Sequence, residues 1–242
     1  MPTPVTFLGT GNFLAPGRYW NGFVVDGTVL VEPSPTALPH LRRCALPAER
    51  LDVVVISHFH ADHTFGWPFL LLEVLRRGRD RPLFVVGPPE VEAFLATMMG
   101  VAGVPDVQEH AHALLDLRYV EVDLSWQQAG PLRFRAVEVE HVPYLRCFGY
   151  LFDGGGRTIG YSGDARPCPG LDELAGASDV LVLECNGPHP SPKTHMEIED
   201  VKTLRDRFPG VPFVLTHLGH GVDGAGIADV VVPEDFQTID LG

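Results

Sequence analysis

One heptapeptide constrains this chain more than anything else in it. Ser57-His58-Phe59-His60-Ala61-Asp62-His63 holds three imidazoles and a carboxylate between positions 58 and 63, directly after the apolar run Val53-Val54-Val55-Ile56. A β-branched run this short predicts a buried strand, so the polar side chains leave its C-terminal end on a loop. Ligands bind at that end of the strands in open α/β layers. His58 and His60 turn to one side of an extended segment, while Asp62 and His63 come from the tightening turn that follows. One loop with this donor set is a metal site, with room for two adjacent ions.

Four side chains cannot close two coordination shells. The expected partners are His141, after the alternating stretch Leu132 to Val139; Asp164, in Tyr161-Ser162-Gly163-Asp164-Ala165; and His217, after the apolar run from Val211 to Leu215. His220, three residues beyond His217, competes for the last place. A second His-x-His, His110 and His112, lacks an adjoining acid and a third histidine and reads as a surface segment.

The 242 residues, 45% of them hydrophobic, suffice for a sizeable α/β core, and no composition shift marks a domain boundary, so residues 1–242 read as a single domain. A formal charge of −13 argues against a broad nucleic-acid footprint. It leaves a small anionic substrate open, because bound cations reverse the local field in a cleft. Cys44, Cys147, Cys168 and Cys185 are scattered without a paired motif. With no leader-like or membrane-spanning run, the expectation is a cytoplasmic protein with no membrane association.

Along the chain, Val5 to Leu8 is a strand before the Gly9-Thr10-Gly11 turn, and residues 23–31 form a hairpin about Asp26-Gly27. Short helices are expected within 35–45 and 171–175. An apolar helix starts near Pro68, runs to Arg77 and stops at Gly78; others span 90–99 and 197–207. Further strands are expected at 83–86, 118–124, 132–139, 148–152, 158–162 and 179–183, with Gly100 to Asp106 and Gly187 to Thr194 as loops. Asp179-Val180-Leu181-Val182-Leu183 echoes Asp52-Val53-Val54-Val55-Ile56, a faint half-to-half similarity.

With the cluster and its later partners in order, the sequence resembles the metallo-β-lactamase superfamily, whose H-x-H-x-D-H signature matches residues 58–63 without a gap. The resemblance is nearest to the ribonuclease Z and phosphodiesterase branch, through Phe7-Leu8-Gly9-Thr10-Gly11, the metal loop, Tyr161-Ser162-Gly163-Asp164 and His195. It implies a four-layer αββα sandwich and two zinc ions, with manganese or iron as alternatives. In that reading His58, His60 and His141 hold the first ion, Asp62, His63 and His217 the second, and Asp164 bridges them. Such a pair supplies hydroxide near neutral pH. Asp62 then orients or deprotonates the water, and His195 is the general acid, oriented by Glu184 or Glu197.

Bacterial ribonuclease Z inserts a long arm between its third histidine and bridging aspartate to grip transfer RNA. Here only Val142 to Gly163 intervene, enough for one hairpin. The missing arm and the acidic charge argue against transfer RNA and favour a small-molecule phosphodiester such as a cyclic nucleotide. Ribonuclease Z-like RNA 3′-processing, lactone or thioester hydrolysis, and a non-catalytic binding role are the rivals. Arg18, Tyr144 and Arg146 are candidate substrate contacts, with packing the simpler reading of each. A homodimer is suggested by the resemblance alone.

Overall fold

The structure, a computed structural model, describes residues 3–154, 156–187, 193–224 and 226–241, the side chain of Gln108 excepted. Among the described residues, fourteen strands form two sheets. The first contains β1 (Pro4–Gly9), β2 (Gly22–Val25), β3 (Val29–Val31), β4 (Val53–Val55), β5 (Leu83–Gly87), β6 (Leu117–Glu121) and β14 (Thr238–Asp240), in the order β14-β1-β2-β3-β4-β5-β6. The second contains β7 (Trp126–Ala129), β8 (Leu132–Val139), β9 (Cys147–Asp153), β10 (Thr158–Tyr161), β11 (Val180–Glu184), β12 (Phe213–Thr216) and β13 (Val230–Val231), in the order β13-β12-β11-β10-β9-β8-β7. The helices are α1 (Ala37–Arg43), α2 (Ala61–Thr64), α3 (Trp67–Arg77), α4 (Val91–Val101), α5 (Pro105–Leu114), α6 (Pro169–Ala177) and α7 (Ile198–Arg207).

Side-chain alternation in the apolar strands explains the layering. Val53 and Val55 join the core between the sheets, while Val54 and Ile56 face the helical side with Trp67, Leu70 and Leu71 of α3. In the second sheet Val180, Val182 and Val214 point inward, and Leu181, Leu183, Phe213 and Leu215 pack against Leu171, Leu174, Val201 and Leu204 of α6 and α7. A strand buried on both faces reads as an unbroken hydrophobic run, as these do. The result is the expected αββα sandwich.

The sheets repeat one pairing scheme. From the β14 edge, three antiparallel pairings are followed by three parallel ones through β6. From β7 through β13 the same series recurs. β4 and β11, which carry the echoed Asp-led runs, occupy equivalent positions.

One expectation needs correction. The loop from Gly100 to Asp106 is shorter than expected: α4 continues to Val101, and Pro105 opens α5 rather than ending a loop. Proline suits the first turn of a helix because its missing N–H is one that has no intrahelical partner there. His110 and His112 lie on this helix, and both are exposed, as a surface segment requires. Near the C-terminus, β14 extends the first sheet by pairing Pro4 with Asp240. Among the described residues no helix is long and apolar enough to cross a membrane.

Candidate metal centre

The metal loop starts where the two sheets are tied together. Tyr150 Oη donates to the Ile56 carbonyl at 2.7 Å, and the Phe148 N–H donates to the Ser57 carbonyl at 3.1 Å. The extended segment ends at His60, and α2 then supplies the tightening turn carrying Asp62 and His63. Gly163 admits Asp164 from the opposite sheet: its φ is +58°, and a Cβ there would lie 2.6 Å from the Phe148 carbonyl oxygen. Glycine alone meets both conditions without strain. His217 follows β12 at φ +49°, an uncommon conformation for a residue with a side chain, held although the residue is buried.

All seven predicted ligands converge. His58, His60, His141 and Asp164 bring donor atoms within 4.8 Å of one another, and Asp62, His63 and His217 form a second such group. Asp164 Oδ2 lies between them, 3.9 Å from both His58 Nε2 and His141 Nε2, 3.4 Å from His63 Nε2 and 3.5 Å from His217 Nε2. Asp62 Oδ2 is 3.5 Å from His63 Nε2 and 3.7 Å from His217 Nε2. Asp164 Oδ1 and His217 Nε2 are buried without a hydrogen-bond partner. Buried polar atoms are rarely left unpaired, and these are the donor types that divalent ions take. The residues therefore fit a metal centre.

Burial pushes His141 down to about 4 and holds His58 well below and His60 below the usual histidine range, which keeps their imidazoles neutral with lone pairs available. Burial would also depress His63, but Asp164, Asp62 and Glu32 outweigh it and hold that ring well above its ordinary value. For Asp164, His217 and His63 overcome the cost of burial and keep the carboxyl well below the ordinary carboxylate range.

A second layer orients these rings. The His141 Nδ1–H donates to the Thr194 carbonyl at 2.7 Å, turning Nε2 inward, and His58 Nδ1 lies 2.9 Å from Ser57 Oγ. Glu32, fully buried, places Oε2 3.5 Å from His63 Nδ1, accepts from the Ser57 N–H, and accepts from Tyr161 Oη at 3.1 Å. Asn186 Nδ2 lies 3.3 Å from His217 Nδ1, and Asn12 donates to Asn186. Sequence reasoning missed Glu32, Asn12 and Asn186. Glu32 carried one usable signal: it is the only acid directly following the buried run Val29-Leu30-Val31, as the ligand loop follows β4.

His195 joins the centre from the segment before α7. Its Nδ1 is 2.8 Å from Glu184 Oε1, and it groups with Asp164 and His217 within 4.8 Å. Burial lowers His195, but Glu184 outweighs burial and pushes it up to about 9. Of the two acids expected to orient it, Glu184 does so; Glu197 instead forms a capping box with Asp200 at the start of α7. Arg18 donates to Thr10 Oγ1, and the exposed Arg146 lies 3.3 Å from Glu138, so each has a partner within the chain. Tyr144 is exposed, with its ring 6.4 Å from that of His60. His220 is exposed and outside the cluster.

The ligands open onto a cavity of about 780 Å³ with Phe13, Trp20, Phe65 and Phe69 in its walls. Two mixed sheets, helices outside them and a His/Asp cluster at one end define the metallo-β-lactamase fold. Residues 27–218 match the model of the beta-lactamase superfamily domain, and the chain belongs to that family. It is a metallo-hydrolase of the superfamily. It is 29% identical to a ribonuclease Z of Anoxybacillus flavithermus, covering 96% of this chain and 91% of that protein. The alignment runs over 292 positions against 242 residues here, so that relative carries residues this chain lacks. Among solved structures, the metallo-beta-lactamase fold protein YhfI from Bacillus subtilis superposes with TM-score 0.80 at 20% identity, covering 99% of this chain and 100% of that one. A diphosphatase from the PhnP family superposes with TM-score 0.76 at 20% identity, covering 99% and 97%.

Proposed function

We propose that the protein is a dinuclear metal-dependent phosphodiesterase acting on a small phosphodiester, a cyclic nucleotide being one such molecule. In this reading His58, His60 and His141 hold one cation, Asp62, His63 and His217 the other, and Asp164 serves both. Zinc is favoured by the imidazole-rich ligation. Cations at these ligands lower the pKa of a coordinated water and offset the charge that develops on phosphoryl oxygens.

The observation that carries the reading is the His195–Glu184 pair, 2.8 Å apart beside Asp164. Attack on a carbonyl in an activated ester needs little help for the leaving group, whereas an alkoxide leaving phosphorus needs a proton. His195 provides it: Glu184 holds Nδ1, and Nε2 is the nitrogen that can meet the departing oxygen. Asp62, at the opposite group of ligands, orients the attacking water and takes its proton.

The test is turnover of bis-p-nitrophenyl phosphate and a cyclic-nucleotide panel by metal-loaded protein, with His195→Ala alongside. The expected result is loss of about 10²-fold or more on cyclic nucleotides and a much smaller loss where p-nitrophenolate leaves. Absence of turnover on every phosphodiester, with rapid lactone or thioester hydrolysis, would refute the assignment. The similarity to ribonuclease Z favours RNA 3′-end cleavage as a second reading; cleavage of a structured RNA in preference to every small diester would establish it.

A further inference from the structure

We infer that the substrate carries an apolar substituent, seated in a groove that leads from the metal ligands to the cleft between α3 and α4. This rests on the phosphodiesterase reading and names the substrate class within it.

Phe65, at the end of α2, and Phe69, in the first turn of α3, line the cavity of about 780 Å³ beside the Asp164 cluster and also a second cavity of about 560 Å³. The two spaces share these rings as a common wall. Pro68, Leu72, Phe94, Met98 and Val101 complete much of the second one. Phe65 and Phe69 are 51% and 61% exposed, and Val101 is 86% exposed. An apolar patch of this kind beside a catalytic mouth marks a binding surface.

Polar chemistry in the walls points to the same occupant. Among the described residues lining both cavities there is no Lys or Arg, and every ionisable group belongs to the cluster around Asp164. One phosphodiester charge can be met by cations at the ligands, but a second or third phosphate in the groove finds no counter-charge. The second cavity has no ionisable lining residue, and Thr97, its one hydroxyl-bearing residue, already donates to the Ala93 carbonyl at 2.9 Å. A ribose or base edge placed there would find only the Thr97 oxygen as a side-chain acceptor in place of the water it loses, whereas alkyl or aryl carbon gains by burial. Because the two spaces adjoin across the exposed rings of Phe65 and Phe69, a substituent on a diester held at the Asp164 cluster reaches the second space over those rings, which makes the substrate's own substituent the occupant, in place of a second copy of the chain.

The test uses p-nitrophenyl alkyl phosphates from methyl to octyl with metal-loaded protein. Water adds to phosphorus, the P–O bond to p-nitrophenolate breaks, and alkyl phosphate and a proton are released, so the leaving group is the same throughout. The inference predicts kcat/KM rising with chain length, by up to about fourfold per methylene where burial is complete. Leu72→Glu and, independently, Val101→Glu should cut the octyl-to-methyl ratio by about tenfold or more, with circular dichroism confirming the fold. Calorimetry should show octyl phosphate binding with a more negative heat-capacity change than methyl phosphate. A flat series with normal methyl-ester turnover would overturn the groove and leave the phosphodiesterase reading standing. A flat series together with a dimer dispersed by Leu72→Glu would assign the patch to a second copy and likewise overturn it. No turnover of any member would refute the underlying reading.

Discussion

Replacing Glu184 by Gln isolates the proton-donor assignment, because it removes a charge while keeping the shape of the pair. Glu184 Oε1 accepts from the Ala165 N–H at 2.8 Å and lies 2.8 Å from His195 Nδ1. The amide oxygen of Gln can serve both partners. Its NH2 takes the place of Oε2, which has no hydrogen-bond partner, so the fold is expected to survive at a cost of about 1–3 kcal/mol. The carboxylate's charge is what lifts His195 to about 9 from an ordinary 6.5 against the pull of burial. Without it, burial pulls His195 down with Asp164 still opposing, and a ring back at its ordinary 6.5 sets the expected size of the effect. At pH 8 the protonated fraction then falls from about nine-tenths to about one-thirtieth, a loss of about 30-fold in turnover of a substrate with a poor leaving group. At pH 6 most of the ring stays protonated in both proteins, and the loss is less than about twofold. Bound cations displace both alkaline limbs in the same direction, so the separation between the two profiles is the quantity to read. The assay is kcat against pH from 5.5 to 9.5 on a cyclic nucleotide. A loss of equal size at every pH, or an alkaline limb that does not move, would refute the reasoning that His195 acts as an acid under the control of Glu184.

Two further outcomes follow from the layer behind the ligands. Glu32→Gln should weaken metal binding by about 10- to 100-fold in competition with a chelator, because a ligating imidazole is made more basic and is oriented by the carboxylate behind it; unchanged affinity would reduce Glu32 to a packing residue. Tyr150→Phe removes the donor to the Ile56 carbonyl at the head of the metal loop. It should cost about 1–2 kcal/mol, lowering Tm by several degrees, and an unchanged melting curve would contradict that accounting.

The convergent His/Asp cluster was legible because its residues carry their chemistry in their type and follow strands that announce themselves. The Val53–Ile56 and Val180–Leu183 runs can be read as strands because both faces of them are buried. Asp164 and His217 could be placed because the positions follow apolar runs, not because their contacts were visible. What stayed hidden depends on distances between remote segments. Glu32 is one of 31 acids, and its single local signal, the place after Val29-Leu30-Val31, does not reveal that Tyr161 and His63 lie beside it. The short strands β7, β13 and β14 escaped notice for a related reason. Trp126–Ala129 is mostly exposed, and the edge strands Val230–Val231 and Thr238–Asp240 show no buried residue, so neither carries the apolar alternation that reveals a strand. α5 was obscured by Pro105, whose helix-opening role looks like a break when read one residue at a time.

The repeated pairing scheme of the two sheets has a thermodynamic consequence. His58, His60, Asp62 and His63 belong to the first sheet's loops, and His141, Asp164, His195 and His217 to those of the second. Neither half can saturate a cation alone. An ion held by both therefore works as a fastener across the seam, and its dissociation constant measures how firmly the halves are docked. Loosening the seam anywhere, even far from the ligands, should register as metal loss before it registers as unfolding.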